Sequence, residues 1–289
     1  MSRESTVARR IQSELASASV QLRSAGVATP RQEALEFLSE LADLTPGTVL
    51  AGLDWSPNEG LLRRFRKAVR RRAEGEPRQY VVGTVGFRRL ILRCDARALI
   101  PRPETEGLVD LALAHQPTGR ALDLGTGSGC LALALADEGA YREVVGVDVS
   151  PAALALAREN AVRTGLPVRW LEGEWTAPVR GERFDVIVTN PPYIATSEWE
   201  GLDRLVRDWE PRLALDGGGD GMAEVRRLLL ESPAVLRSGG WLFLEVDAAR
   251  AAASAELARA AGWQAVRVLD DVYQRPRYLA AQWEPHDAR

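Results

Sequence analysis

The chain of 289 residues is poor in the side chains that build covalent or metal scaffolds. It has two cysteines, Cys94 and Cys130, at no metal-type spacing, which argues against a disulfide framework and a zinc cluster and predicts a reducing compartment. Histidine is as scarce: His115 and His286 leave no room for a Ser-His-Asp triad or a histidine-rich metal site, so no metal is expected. No run approaches 18 apolar residues, and Met1-Ser2-Arg3-Glu4-Ser5 opens into mixed charge instead of an apolar signal core. No membrane span is predicted, and the expectation is a soluble, cytoplasmic protein. An excess of positive charge is also missing. With 37 basic and 40 acidic residues the net charge is −3, so no global field holds a polyanion, and stable nucleic-acid binding is not expected. Lys67 is the only lysine, which leaves arginine to carry the basic charge.

The remaining composition, 46% hydrophobic and 27% charged, is that of an ordinary globular chain, and the length allows about two domains. Residues 1–76 read as a small helical bundle. Thr29-Pro30-Arg31-Gln32 places a hydroxyl before a helix, proline at its first position and glutamine at its third; Ser56-Pro57-Asn58-Glu59 and Thr45-Pro46 repeat that logic. Leu35, Phe37, Leu38 and Leu41, then Leu62, Phe65 and Val69, build buried faces at helical spacing. Arg63, Arg64, Arg66, Lys67, Arg70, Arg71 and Arg72 form the densest basic run, read as a solvated face with a partner-docking surface as the alternative. From 77 to 100, Tyr80-Val81-Val82-Gly83-Thr84-Val85-Gly86-Phe87 and Leu90-Ile91-Leu92 predict a β-hairpin linker.

Residues 101–289 alternate apolar strands with helices, the pattern of a parallel sheet covered on both faces. Strands are predicted at 120–124, 143–149, 168–172, 184–189, 240–246, 265–269 and 277–283. The fold class is therefore α/β: a seven-stranded, mostly parallel, Rossmann-like domain preceded by a helical bundle and a hairpin.

The first strand ends in Asp123-Leu124-Gly125-Thr126-Gly127-Ser128-Gly129-Cys130, followed by an apolar helix. Such glycines let the backbone turn sharply and let a ligand approach main-chain N–H groups at a helix start. Asp148 ends the second strand, where a carboxylate accepts hydrogen bonds from both hydroxyls of a ribose. Gly127-x-Gly129-x-x-Ala132 also satisfies a relaxed dinucleotide pattern, so a nicotinamide-dependent dehydrogenase or a plain nucleotide-binding module stays open. Asp123, two residues before Gly125, shifts the balance: a carboxylate there suits the ammonium group of an amino-acid cofactor and repels a pyrophosphate. S-adenosylmethionine fits this pattern better than a dinucleotide.

The fourth strand runs into Asn190-Pro191-Pro192-Tyr193. Two prolines fix the backbone in an extended turn and remove donors, which leaves the carbonyls free to accept hydrogen bonds. The target implied is a planar NH₂ group, as in a carboxamide or an exocyclic base amine. Its nitrogen is a poor nucleophile and too weakly acidic to deprotonate beforehand. Asn190 Oδ1 and the Pro191 carbonyl would each accept one N–H, steer the nitrogen lone pair at a sulfonium methyl group, and leave Tyr193 to pack on the flat amide face. The reaction is then direct displacement with proton loss afterwards. Residues 194–218 form a long connection holding Trp199 and Trp209, and are expected to be a lid or a substrate-recognition segment.

Taken together, Ile100-Pro101-Arg102-Pro103-Glu104-Thr105-Glu106, Asp123–Gly129, Asp148, Asn190-Pro191-Pro192-Tyr193 and Glu210-Pro211-Arg212-Leu213-Ala214-Leu215 resemble the release-factor glutamine methyltransferases of the HemK type, over nearly the whole chain. The resemblance implies a class I S-adenosylmethionine-dependent fold, release of S-adenosylhomocysteine, and a helical N-terminal domain that binds substrate. The substrate implied is the glutamine of the Gly-Gly-Gln motif in bacterial peptide chain release factors. By matching position, Gly125, Thr126, Gly127, Ser128 and Gly129 line the cofactor, Asp148 holds its ribose, Trp175 packs near its adenine, and Asn190, Pro191, Pro192 and Tyr193 hold the glutamine amide. The chain departs from the family pattern at Glu104, where aspartate is common, and at Asp247, where glycine often stands. The alternatives are glutamine methylation of a ribosomal protein and, with a similar clamp, amino-methylation of DNA.

Overall fold

The computed structural model describes residues 3–51 and 55–285; His286 lies outside them. The chain divides into two compact units, Met1–Gly83 and Thr84–Arg289.

The first unit contains α1 (Arg3–Ser24), α2 (Pro30–Ala42), α3 (Pro46–Ala51), α4 (Glu59–Ala73) and α5 (Arg78–Val82). Its core is built from Ile11, Leu15, Leu22, Phe37, Leu38 and Phe65, the inward faces of α1, α2 and α4. The proline-led starts are real, but the capping atoms differ from expectation. The Thr29 side chain makes no cap bond, and Asn58, not Ser56, caps α4 by accepting the Leu61 N–H at 2.8 Å. On the basic helix Arg66 pairs with Glu14, Arg71 with Glu76 and Arg72 with Glu33, so part of the run is spent within the unit. Residues 78–82, expected in a hairpin, are helical and end at Gly83, whose φ of +83° closes α5 with a left-handed residue.

The hairpin strands β1 (Thr84–Phe87) and β2 (Leu90–Arg93) fall in the second unit, where Asn160 holds the Arg93 backbone from both sides. There follow α6 (Glu106–His115), β3 (Thr118–Leu124), α7 (Cys130–Glu138), β4 (Ala140–Asp148), α8 (Pro151–Thr164), β5 (Arg169–Glu172), β6 (Phe184–Thr189), α9 (Arg204–Arg207), α10 (Ala223–Glu231), β7 (Leu236–Glu245), α11 (Ala251–Ala260), β8 (Gln264–Asp270) and β9 (Pro276–Trp283). The seven-stranded sheet has the order β5-β4-β3-β6-β7-β9-β8, parallel except for β9, which runs antiparallel to both β7 and β8. β7 begins four residues before the predicted start, across an irregularity opposite Phe184 and Val186.

Both faces of the sheet are covered, which is why its strands read as continuous apolar runs. Leu122, Leu124, Ile187, Leu242 and Leu244 pack with α10 and α11, while Ala121, Val186, Val188 and Phe243 pack with α6 and α7. His115 stacks at a tilt against Trp241 and Phe243, a packing role far from acid–base work. The order in which strands are added reverses at β3, whose neighbours are β4 and β6. Ligands of open α/β sheets sit outside the carboxyl ends of the strands at such a switch point. Among the described residues no helix is long and apolar enough to cross a membrane.

Candidate active site

The turn after β3 needs its glycines: φ is +70° at Gly125, +55° at Gly127 and +84° at Gly129, a region that side chains with a Cβ enter at a cost. Space is limiting as well. A Cβ on Gly125 would lie 3.2 Å from the Trp175 ring, and one on Gly129 would lie 2.8 Å from Trp170. The Thr126 N–H bonds to the Val147 carbonyl at 2.9 Å, stitching the loop to β4. Asp123 is fully buried beneath the loop. Its Oδ2 accepts the Thr126 hydroxyl and, at 3.1 Å, the Ala132 N–H, and its Oδ1 has no protein partner. Burial pushes its pKa up to about 7, against the lowering effect of those two bonds. Asp123 is not among the residues that line the cavity, and the bonds of its Oδ2 to Thr126 and Ala132 anchor the glycine loop to the start of α7.

Asp148, at the end of β4, accepts the Gly127 N–H at 2.7 Å and the Ser150 N–H at 2.8 Å. Desolvation raises its pKa, and the N–H groups of Ser150, Gly127 and Val149 oppose that rise. Trp175 has φ of +42°, unusual for a bulky residue, and its Nε1 donates to Glu224 Oε2 at 2.7 Å. The strained backbone and this bond fix the indole over Gly125.

Asn190 follows β6. Its Nδ2 donates to Thr105 Oγ1 at 3.1 Å; that hydroxyl donates to Glu245 Oε2 at 2.7 Å, and the Tyr193 hydroxyl donates to Glu245 Oε1 at 3.2 Å. Glu245 is buried at the end of β7, and burial raises its pKa. Among the described residues no hydrogen bond reaches Asn190 Oδ1 or the Pro191 carbonyl.

Two chain segments close the site. Glu210, 6% exposed, accepts the Ile100 N–H at 3.1 Å and an ion pair from Arg102, so its carboxylate ties the Ile100-Pro101-Arg102 strap to the segment 110 residues later. Residues 194–218 are no loose lid. They hold short helices at Thr196–Gly201, Arg204–Arg207 and Arg212–Ala214, and the Ile194 N–H to Leu215 and Gly217 N–H to Ile194 bonds, at 3.0 and 2.8 Å, clasp their ends together. Pro211, Leu213 and Ala214 form a wall of the cavity.

The cavity, about 260 Å³, lies at the strand ends of the switch point. Gly125, Thr126, Gly127, Ser128, Asp148, Trp175, Asn190 and Pro192 line it. Asp123, Gly129, Pro191 and Tyr193 do not. Gly129 and Pro191 are buried, and the Tyr193 hydroxyl donates to Glu245. Sequence reasoning missed Glu224 and Arg227 of α10 and the role of Glu210, because pairings across tens of residues leave no local pattern; the proline-fixed strap and the Glu-Pro-Arg-Leu run were the signals at hand. The lining suits a nucleoside with an amino-acid arm. It offers the Asp148 carboxylate to a diol and the Trp175 indole to a base, and the buried Ser128 hydroxyl has no protein partner.

Comparison with known proteins agrees with this geometry. The profile of the PrmC N-terminal domain matches residues 15–83, and that of the Methyltransferase small domain matches residues 105–220, which include the glycine loop, Asp148 and the diproline corner. S-adenosylmethionine is accordingly the cofactor. Among solved structures, a methyltransferase from Pyrococcus furiosus has TM-score 0.52 at 21% identity, covering 67% of this chain and 89% of that one, a likeness of fold alone. The release factor glutamine methyltransferase of Cereibacter sphaeroides is 42% identical over 90% of this chain and 94% of its own length. That of Deinococcus radiodurans is 40% identical over 93% and 96%. At that identity over nearly their full lengths, the chain belongs to the release factor glutamine methyltransferase family.

Proposed function

We propose that the protein methylates the side-chain amide nitrogen of the glutamine in the Gly-Gly-Gln motif of bacterial peptide chain release factors, in the cytoplasm, with the helical unit contributing to substrate binding. One observation carries the reading: Asn190 Oδ1, an acceptor with no bond among the described residues, belongs to a residue lining the same cavity as the glycine loop, Asp148 and Trp175. When bound, S-adenosylmethionine supplies an electrophilic methyl carbon. The residues of this chain do the rest. Gly125 to Ser128 receive the amino-acid arm, Asp148 accepts from the ribose hydroxyls, and Trp175 covers the adenine. Asn190 Oδ1 accepts one N–H group of the glutamine amide, and the Pro191 carbonyl, without a hydrogen bond among the described residues although Pro191 is not in the cavity lining, accepts the other when the substrate reaches the corner. That draws the nitrogen away from conjugation and aims its lone pair. The N–C bond forms as the C–S bond breaks, and the surplus amide proton leaves afterwards to solvent.

The strap and the wall that Glu210 joins exclude water from the reacting atoms. The test is transfer of labelled methyl from S-adenosylmethionine to a purified release factor and to the same factor with its Gly-Gly-Gln glutamine replaced. Label is expected only in the first; label in a ribosomal protein or in DNA, with none in the release factor, would overturn the assignment.

A further inference from the structure

A buried carboxylate is expensive to keep, because it loses the solvation of water and is recovered only in part by its hydrogen bonds. Glu245 is such a group, 2% exposed, and the proposed chemistry assigns it no contact with cofactor or substrate. Both of its oxygens are engaged at one place, the diproline corner: Oε1 by Tyr193 and Oε2 by Thr105. Thr105, 3% exposed, opens α6 on the far side of the corner and has no capping bond of its own. Its hydroxyl carries one proton, which is committed to Glu245 at 2.7 Å. Towards Asn190 the same oxygen can therefore only accept.

This fixes the sense of the Asn190 amide. With Nδ2 towards Thr105, at 3.1 Å, the pair is donor to acceptor; with the amide turned over, two oxygens would face each other. Oδ1 is left pointing away from Thr105, as an acceptor, which is the polarity a substrate NH₂ requires. An Asn190 turned the other way would present N–H to N–H.

We infer that Thr105 and Glu245 are positioning residues that set the polarity of the clamp, with the Glu245 carboxylate committing the Thr105 proton and the Thr105 oxygen committing the Asn190 amide. The inference rests on the reading that Asn190 holds the substrate amide. It explains why a methyl-transfer site that uses no general base keeps an acid group behind its corner: the carboxylate acts on a hydroxyl proton and never on the substrate. Tyr193, held by the same carboxylate, pins the other end of the corner, so one residue at the tip of β7 sets both ends of the four-residue motif.

The test compares Thr105→Val, which removes the hydroxyl while keeping the branched shape, with Thr105→Ser, which keeps the hydroxyl, in the full-length enzyme. Thr105→Val is expected to lower kcat by about 10- to 100-fold, the size of loss that follows misorientation of a positioning group. The dissociation constant of S-adenosylmethionine, read by calorimetry, and the KM for the release factor should stay within about threefold. Thr105→Ser should restore most of kcat, which a packing role for the Thr105 methyl group would not allow. Glu245→Gln is the second variant; its amide can donate to Thr105 and undo the commitment, so it too should lose kcat while binding cofactor. Asn190→Ala is run alongside. If Asn190→Ala is inactive while a cofactor-binding Thr105→Val and Glu245→Gln both turn over at the wild-type rate, the positioning role is refuted and the Asn190 reading stands. If Asn190→Ala itself turns over normally, the underlying reading fails first.

Discussion

Replacing Asp123 by asparagine measures the cost of a carboxylate sealed under the glycine loop. Burial lifts its pKa from the ordinary 3.8 to about 7. Between those values the folded chain holds a proton that the unfolded chain has lost, so stability falls as pH rises from about 4 to 7 and levels off above. At about 1.4 kcal/mol per unit, the upper limit of that fall is about 4 kcal/mol. Asparagine can keep both bonds of Oδ2 through its own oxygen and places its NH₂ where Oδ1 has no partner, an unmet donor that costs about 1–3 kcal/mol. At pH 8 the cofactor-free variant is therefore expected to be more stable than the parent by about 1–3 kcal/mol, and the difference should shrink and change sign towards pH 4, where the unmet donor leaves the variant less stable by about 1–3 kcal/mol. Glu245 and Asp148 also have raised pKa values and tilt the parent curve the same way, so the difference between variant and parent is the quantity to read. The assay is urea unfolding without cofactor at four pH values from 4.5 to about 8. A variant that is less stable at pH 8, with a pH slope parallel to that of the parent, would refute the burial argument.

Other perturbations act on the cavity from different sides. Gly125→Ala combines a left-handed φ with a Cβ 3.2 Å from the Trp175 ring; it should cost about 1–2 kcal/mol of stability and displace the indole, seen as weaker binding of S-adenosylmethionine in calorimetry. Glu210→Gln removes the charge that holds Arg102 and weakens the bond to Ile100. A loss of about 1.5–3 kcal/mol in urea unfolding is expected, together with a higher KM for the release factor, since the strap and the Arg212–Ala214 wall would part.

Much of this architecture is legible from residue order, and the reasons for the gaps are physical. β6 was read at its observed bounds, Phe184–Thr189, because both faces of that strand are covered and its apolar run stops at the asparagine and prolines that end it. The helix over Pro151–Thr164 carries equally local signals, since Ser150 caps it through the Ala153 N–H and Gly165 closes it in a left-handed turn. α5 was missed. Tyr80, Val81 and Val82 favour strands by propensity, and burial of Tyr80 and Val81 within the helical unit overrode that preference. At the site, the glycine loop, Asp148 and Asn190 were singled out because they stand at strand ends or in a motif and Trp175 because of the family resemblance, and Gly125, Asp148, Trp175 and Asn190 line one cavity. The bonds of the Asp123 and Tyr193 side chains were not legible, because their partners lie outside the motifs, Ala132 on the next helix for one and Glu245 at the end of β7 for the other. Thr105 and Glu210 were visible as motif members, but the buried bonds that join Thr105 to Asn190, Glu210 to Ile100 and Glu245 to Tyr193 leave no trace in spacing.

Single-turnover methyl transfer by Asn190→Ala, with the S-adenosylmethionine dissociation constant measured on the same preparation, tests the clamp most directly. Loss of transfer by about 100-fold or more with cofactor affinity unchanged is the predicted result. Transfer at the parental rate, or cofactor binding lost in step with transfer, would contradict a site in which Asn190 holds the amide and the glycine loop with Asp148 holds the donor.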